Sequence, residues 1–461
     1  MKPFCLLLTA GLLAGCAHYQ PRTLAPEPAA RQWEARRLDD AGLQSFVLTN
    51  TAGRWSHWPP EKWEVNALTL AAFYFHPDLN VARAQWLVAG AGITTAGGRP
   101  NPVLSGGPGY NFNAAGVTPW MPFGAVDLPL ETAGKRGKRI AAAEKASESA
   151  RWAYLSTAWQ LRTGVRAALV ELSAADQRVG GLQKLLAAQE QVIHRQEQRV
   201  AAGALAASEL LPARMALNTT RAELNAAQAR LTAARSRLAE AIGLPLAALD
   251  GISLPTQFAG TPAADLTSAE TRRAALVGRA DLRAALADYA ASEDNLRLEI
   301  AKQYPDVHLN PGYQFDQGDN KWTFGLSLEL PVLNQNQGPI AEAKARRELA
   351  AAKFIQLQAQ TIAAIDRATA ALSTARTQVR NDSTLLALAG QRQKSLAAQL
   401  KAGAAEPLDL LAAEVESDTL QLTQIEDEAQ LQAALGALED AVQRPSDDFA
   451  ALQFLPAHFQ P

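Results

Sequence analysis

The sequence predicts a mainly α chain with a smaller β part, built as a tandem duplication of helix, β-hairpin and long helix pair. Three observations carry that class. Apolar residues recur at spacing seven over very long stretches, two proline-, glycine- and aromatic-rich segments alternate with period two, and both features return about 200 residues later in the same order. At an offset of 200, Val165, Leu172, Val179, Leu186, Ile193 and Val200 align with Ile365, Leu372, Val379, Leu386, Gln393 and Leu400. Five of these six pairs are apolar, and the register runs on without a gap through Ala202-Gly203-Ala204 against Ala402-Gly403-Ala404 and Leu210-Leu211 against Leu410-Leu411. A fixed internal period overrides an element-by-element reading.

Composition excludes several classes. The 461 residues hold 44 Lys+Arg against 46 Asp+Glu, a net charge of −2, so no general basic excess is present to displace counterions from nucleic acid. With 48% hydrophobic and 20% charged residues the chain can bury a large core. Its two cysteines, Cys5 and Cys16, supply neither a disulfide framework nor a four-cysteine zinc site.

The elements follow in order. Lys2 is followed by a mostly apolar run from Phe4 to Leu13 and then by Leu13-Ala14-Gly15-Cys16. Residues 1–15 read as an export signal, too short to span a bilayer as a helix of about 20 residues. The closing four residues look like a bacterial lipobox, which makes Cys16 the lipid-bearing (palmitate-type) first residue of the mature chain, and Ala17 in place of Asp implies delivery to the outer membrane. A plain signal peptide with Cys16 incidental stays open. Residues 16–65 form an N-terminal extension, 66–250 the first repeat, 251–270 a linker, 271–443 the second repeat and 444–461 a tail.

In the second repeat, Val307, Leu309, Pro311, Tyr313 and Phe315 alternate with His308, Asn310, Gly312, Gln314 and Asp316. After Gly318-Asp319-Asn320, the apolar Trp322, Phe324, Leu326, Leu328 and Leu330 alternate with Thr323, Gly325, Ser327 and Glu329. Period-two alternation around a short polar turn is a hairpin, with strands over about 305–316 and 321–331. The first repeat repeats it at an offset of 203, over about 102–113 and 120–130, with Leu104, Pro108, Tyr110 and Phe112 on the apolar face and Asp127 opposed to Val126 and Leu128. Long helices follow over about 134–202 and 208–242, then 338–402 and 407–442, turning at Gly203 and Gly403. Leu210, Leu217, Leu224, Leu231 and Leu238 form a seam with Ala213, Thr220, Ala227, Ala234 and Ala241. A strict seven-residue repeat of this length imposes a left-handed supercoil, and small partners permit close approach.

Pattern alone leaves open an ordinary soluble coiled coil with hairpins packed on a soluble core. The strands have the length that a tilted strand needs to cross a bilayer, yet two hairpins give only four strands, and bacterial barrels need about eight or more. An open sheet in lipid leaves edge amides unpaired, so membrane-crossing strands must be pooled by several subunits.

The lipobox, the duplicated order and the glycine-centred tips followed by Leu-Leu together make residues 66–443 resemble the TolC family of outer-membrane efflux channels. Leu128-Pro129-Leu130-Glu131 followed by Gly134-Lys135-Arg136-Gly137 is similar to the strand-to-helix junction of the family's metal-type branch. The resemblance implies a homotrimer whose twelve pooled strands form one outer-membrane β-barrel, continued by a periplasmic α-helical coiled-coil tunnel. It further implies a passive exit duct for drugs or metal ions, served by a periplasmic adaptor (a membrane fusion protein) and an inner-membrane pump of the RND type. His308, Asn310, Gln314, Asp316, Thr323, Ser327 and Glu329 are then expected to line a wet lumen, while Tyr110, Trp120, Tyr313 and Trp322 suit interfacial girdles. The family's first gate aspartate falls on Asp409, with Glu209 its first-repeat counterpart; the second falls on Ala412, so a two-ring gate is incomplete, though Glu406 is placed to contribute. A first-turn helix role for Asp409 and Glu406 is equally open. Ala202, Gly203, Ala204, Ala402, Gly403 and Ala404 are the expected adaptor-docking tips, or simple helix ends.

Other chemistry is not indicated. Gly134-Lys135-Arg136-Gly137-Lys138-Arg139 lacks phosphate-loop spacing and reads as a charged collar against lipid headgroups or a solvated turn. His18, His57, His76, His194, His308 and His458 show no paired ligand spacing, Met1, Met121 and Met215 make no thioether relay, and no nucleophile motif occurs. No enzyme, metal site, cofactor or nucleic-acid partner is expected. The rival readings are a periplasmic coiled-coil adaptor or structural lipoprotein, and the outer-membrane component of a type I secretion system.

Overall fold

A computed structural model describes residues 18–50, 58–113, 118–255 and 265–446. The export signal and Cys16 lie outside the described residues. In chain order the elements are α1 (Pro26–Glu34), α2 (Ala41–Asn50), α3 (Val65–Phe75), α4 (Pro77–Ala96), β1 (Val103–Gly107), β2 (Phe123–Leu130), α5 (Lys135–Ala201) and α6 (Leu211–Ile242). Then come α7 (Ala269–Gly278), α8 (Ala280–Ala301), β3 (Val307–Asp316), β4 (Asp319–Leu328), α9 (Gln337–Lys401) and α10 (Pro407–Val442), with 3-10 turns at Ala207–Leu210 and Leu246–Leu249. Among the described residues no helix is long and apolar enough to cross a membrane.

The four strands form one antiparallel sheet in the order β1-β2-β3-β4, so β2 of the first repeat pairs with β3 of the second and, among the described residues, both outer strands keep a free edge. The first hairpin runs on beyond β1 and β2: Gly109 N donates to Met121 O at 3.0 Å, Met121 N to Gly109 O at 2.7 Å and Asn111 N to Pro119 O at 2.7 Å, around the Tyr110–Trp120 bridge.

The helices copy the order of the strands. α5 packs between α4 and α6 on one side and α8 and α10 on the other, and α9 packs against α8 and α10. α5, with 67 residues, is about 100 Å long at 1.5 Å per residue. Of the expected seam residues, Val165, Leu172 and Ile193 on α5, Leu217, Thr220, Ala227, Ala234 and Leu238 on α6, and Ile365 and Leu372 on α9 are buried, while Val179, Leu186, Leu224, Leu231, Val379 and Leu386 are half-buried.

Each long helix faces two shorter ones stacked end to end. α6 ends at Gly243 (φ 84°), where a Cβ would lie 2.9 Å from the His76 Cα that caps α4. α10 ends at Gln443 (φ 47°), whose Oε1 accepts the Ala280 amide at 2.7 Å as α8 begins. The N-terminal extension is more than a tether. Leu38, Leu43, Val47 and Trp63 are buried with α3, α5 and α6 in the largest core cluster, whereas α7 supplies Ala275 to a second cluster on α9 and α10.

Mixed charge is not confined outside the seams, as the sequence pattern suggests. Arg162 and Glu439 are 1% and 2% exposed between α5 and α10, with Arg166 beside them. Arg162 Nη1 donates to Glu439 Oε2 at 3.1 Å, and Arg166 Nε lies 3.3 Å from the same oxygen. Gly436 leaves room for the Arg166 guanidinium, which a Cβ there would meet at 2.7 Å.

Candidate pore, gate and docking tips

The sheet register sorts the strand side chains onto two faces, because directly opposed residues share a face. Val307↔Leu328, Leu309↔Leu326, Pro311↔Phe324 and Tyr313↔Trp322 make one face apolar up to the turn, where Phe315↔Asn320 brings in Asn320. It carries Trp322, Phe324 and Leu326 at 80%, 75% and 67% exposure, a surface that water would not leave uncovered. His308↔Ser327, Asn310↔Gly325, Gly312↔Thr323, Gln314↔Lys321 and Asp316↔Asp319 make the other face polar. Every expected lumen residue within the strands therefore lies on one side; Glu329, one residue past β4, continues the alternation.

The polar face is cross-linked. His308 Nδ1 lies 3.0 Å from both carboxylate oxygens of Asp127, Asn310 Nδ2 donates to Ser327 Oγ at 3.0 Å, and Lys321 Nζ to Asp316 Oδ2 at 2.6 Å. Asp127 was legible as polar-facing but not as the partner of His308, since β2–β3 pairing across the two repeats is a tertiary fact. Tyr313 stacks on Trp322 with ring centroids 5.0 Å apart, and Tyr110 on Trp120 at 5.1 Å, so the four aromatic girdle candidates lie toward the turn end of the sheet.

Three of the four cations in the basic run after β2 are held within the subunit. Lys135, buried, donates to Asp306 Oδ1 at 2.7 Å, while Thr132 donates from its amide to the same oxygen at 2.9 Å. Arg136 Nε donates to Gly97 O at 2.7 Å. Arg139 forks onto Glu131 and also reaches Ala96 O and Gly98 O. Three cations thus fasten the start of α5 to the β3 approach and to the carbonyls at the end of α4, where a helix C-terminus favours positive charge.

At the opposite ends, Gly203 and Gly403 both sit at φ 72°. Ala204 N donates to Arg199 O at 2.8 Å and Ala404 N to Gln399 O at 2.8 Å, the six-to-one bond of a Schellman turn in each repeat. Nothing lies within 4 Å of a Cβ placed on either glycine, and the flanking Ala202, Ala204, Ala402 and Ala404 are exposed. The gate candidates are exposed too. Asp409 Oδ2 accepts the Glu406 amide at 3.0 Å and Glu209 Oε1 accepts the Ala206 amide at 3.4 Å, so both carboxylates cap a first turn in the capping-box manner. Glu406 Oε2 accepts from Arg199 Nη1 at 3.0 Å, tying the end of α5 to the start of α10 across the two tips.

The model of the outer membrane efflux protein family matches residues 74–244 and 271–442, one copy of the helix–hairpin–helix-pair order in each segment. The chain belongs to the outer membrane efflux protein family. Among solved structures it is similar to the outer membrane protein VceC of Vibrio cholerae, with 20% identity, a TM-score of 0.68, and 85% of this chain and 100% of that one covered. The CmeC outer membrane channel of Campylobacter jejuni covers 95% of this chain with 98% of its own at 14% identity and a TM-score of 0.68. The open-state MtrE outer membrane channel of Neisseria gonorrhoeae covers 82% with 89% of its own at 17% identity and a TM-score of 0.66. At these identities the likeness is one of fold. No curated protein matches the sequence. Within the outer membrane efflux protein family a duplicated, mainly helical subunit with a small sheet is a duct component, and the rival scaffold readings lapse.

Proposed function

We propose that three copies pool their strands into a twelve-stranded barrel in the outer membrane and their helices into a periplasmic tunnel, a passive exit duct of a tripartite efflux system. One observation carries this reading: a four-stranded sheet with an apolar outer face and two free edges, continued by a helical layer in the same order that is likewise unpaired at α9 and at α4/α6. A free sheet edge in hydrocarbon leaves each backbone group unsatisfied, so closure by further copies follows from elementary energetics. The apolar Leu349, Ile355, Leu385 and Leu388 left exposed on α9 give a neighbouring copy its contact surface.

In this assembly the polar sheet face, with His308, Asn310, Gln314, Asp316, Thr323, Ser327 and Glu329, lines the lumen. The open space around Gly203 and Gly403 receives the hairpins of a periplasmic adaptor, itself joined to an inner-membrane pump of the RND type. Lipid on Cys16 fixes the N-terminal extension to the membrane. Asp409, Glu406 and Glu209 ring the narrow end; Asp409 and Glu209 stay exposed while capping, and Glu406 shares its charge with Arg199. Conductance of the purified protein in planar bilayers tests both pore and gate. Asp409→Asn keeps an acceptor for the Glu406 amide but removes the charge, and a fall in cation preference is expected. An unchanged preference would remove Asp409 from the gate, and absence of any conductance from the wild-type protein would remove the duct.

A further inference from the structure

The two repeats build the same end-to-end helix joint with different stapling residues. In the second repeat Arg279 caps α8 and closes the joint itself. Its Nη1 donates to Asp440 O at 3.0 Å and also to Ala441 O, on the last turn of α10. Its Nε and Nη2 hold Asp281 at 3.0 and 2.6 Å. At the offset of 203, the first repeat has His76 where the second has Arg279, and Asp78 where it has Asp281. The backbone is equivalent: His76 N donates to Ala72 O at 2.8 Å as Arg279 N donates to Ala275 O at 3.1 Å. The neutral imidazole, whose Nδ1 accepts the Asp78 amide at 3.3 Å, has no guanidinium to offer the carbonyls at the end of α6.

That guanidinium comes from elsewhere in the chain. Arg36 Nη1 donates to Phe75 O at 2.9 Å and to Gly243 O at 2.8 Å, bridging the last residue of α3 and the residue that ends α6. Arg36 is held from both sides, 4.2 Å over the Trp33 ring and 5.8 Å from the Phe75 ring. The segment around it is buried through Leu38, and Trp63 N donates to Ser253 O at 3.0 Å, so the extension grips both the start and the end of the first repeat. Carbonyls at a helix C-terminus lack intrahelical donors and carry the negative end of the dipole, which is the reason a cation belongs at each joint.

We infer that Arg36 is the stapling residue of the first-repeat joint, and that the N-terminal extension is a docked component that makes α6 and α4 one continuous rod as Arg279 makes α10 and α8 one. Arg36 is a positioning residue for the helix stack, acting through backbone carbonyls rather than on any permeating molecule. The inference does not depend on the identity of the cargo or on the gate.

The test exploits the offset: if only a guanidinium at the joint matters, the first repeat can be given its own. Hydrogen exchange of the purified full chain is followed in segments 77–81 and 239–243, with 280–284 and 440–443 as the second-repeat control. Arg36→Ala is expected to speed exchange at least tenfold in the first pair and leave the control pair within twofold. Arg36→Ala combined with His76→Arg, which places a guanidinium beside Asp78 as Arg279 stands beside Asp281, is expected to return 239–243 to within threefold of wild type, the segment read in this variant because losing His76 Nδ1 frees the Asp78 amide in 77–81. Unchanged exchange in Arg36→Ala would overturn the inference, as would failure of the combined variant to restore protection. If Arg36→Ala loses protection everywhere, restoration of the fold by His76→Arg still decides the question in the same two directions.

Discussion

Replacing Glu439 by alanine removes the carboxylate that faces two arginines in the seam between α5 and α10, where Arg162 is 1% and Glu439 2% exposed. The variant removes the carboxylate that neutralises Arg162 and Arg166 in the seam, leaving Arg166 its bonds to Gln432 but no counter-charge from Glu439 for either guanidinium. Breaking a buried ion pair from one side costs about 3–5 kcal/mol. Glu439 Oε1 also accepts from the Ser446 amide at 3.0 Å and from its hydroxyl, and losing these partly buried bonds adds about 1 kcal/mol. The sum, about 4–6 kcal/mol per subunit, is large for a helical layer with few other buried charges. Removing all three charges together, as Arg162→Met, Arg166→Met and Glu439→Leu, leaves no stranded ion and should recover most of the loss, because isosteric apolar replacement of a buried triad is close to neutral. Equilibrium unfolding of the detergent-solubilised protein in guanidinium chloride, read by far-ultraviolet circular dichroism, measures both. A loss under about 1 kcal/mol for Glu439→Ala, or a triple variant as unstable as the single one, would refute the reasoning.

Four further outcomes follow from particular residues. Burial, with the nearby Arg36, holds the His76 imidazole below its ordinary value against the opposing pull of Asp78 and Glu240, so the fold favours the neutral ring. Stability contributed there is full above about pH 6.5 and declines as pH falls below it; the protection factors of 77–81, taken relative to intrinsic exchange at each pH, should fall from pH 7.5 to 5.5 in the wild type and stay level in His76→Gln. On α9 the buried Asp382 has its carboxyl pushed up by desolvation and by the adjoining Asp427, so it destabilises the fold increasingly as pH rises and the proton is lost. Asp382→Asn should therefore raise the unfolding midpoint at pH 7 and leave it unchanged near pH 4, as denaturation at the two pH values will show. Gly436→Ala drives a methyl into the Arg166 guanidinium, which Gln432 O and Glu439 hold in place, and should cost about 1–3 kcal/mol; Gly180→Ala on α5, with nothing within 4 Å, should gain up to about 1 kcal/mol from helix propensity.

Periodicity made the repetitive parts of the molecule legible. The seven-residue seam of Val165 and Leu172 and the alternation of Val307 to Phe315 each encode burial on one side of a regular element, and regular elements repeat their register over many residues. Gly203 and Gly403 were readable because a positive φ at a helix end favours glycine. Pairings between distant segments were not readable. His308 meets Asp127 only because β3 pairs with β2, and Arg162 meets Glu439 only because α5 lies beside α10. Arg162 stands three residues from the seam residue Val165, a position where a charge could have signalled a buried partner. The internal partners of Lys135, Arg136 and Arg139 were not readable either, because local sequence shows the charges and not the carbonyls and carboxylates that hold them. Arg36 left no local trace at all: its partners are backbone atoms 39 and 207 residues away.

Closure of the sheet by neighbouring copies is best tested by cysteine pairs across the free edges, one cysteine placed along Val103–Gly107 of β1 and one along Trp322–Leu328 of β4. In the oxidised outer-membrane fraction the account predicts covalent products that stop at three subunits, formed only by pairs in matching register. Cross-links confined within single subunits, or a ladder that continues beyond three, would contradict it.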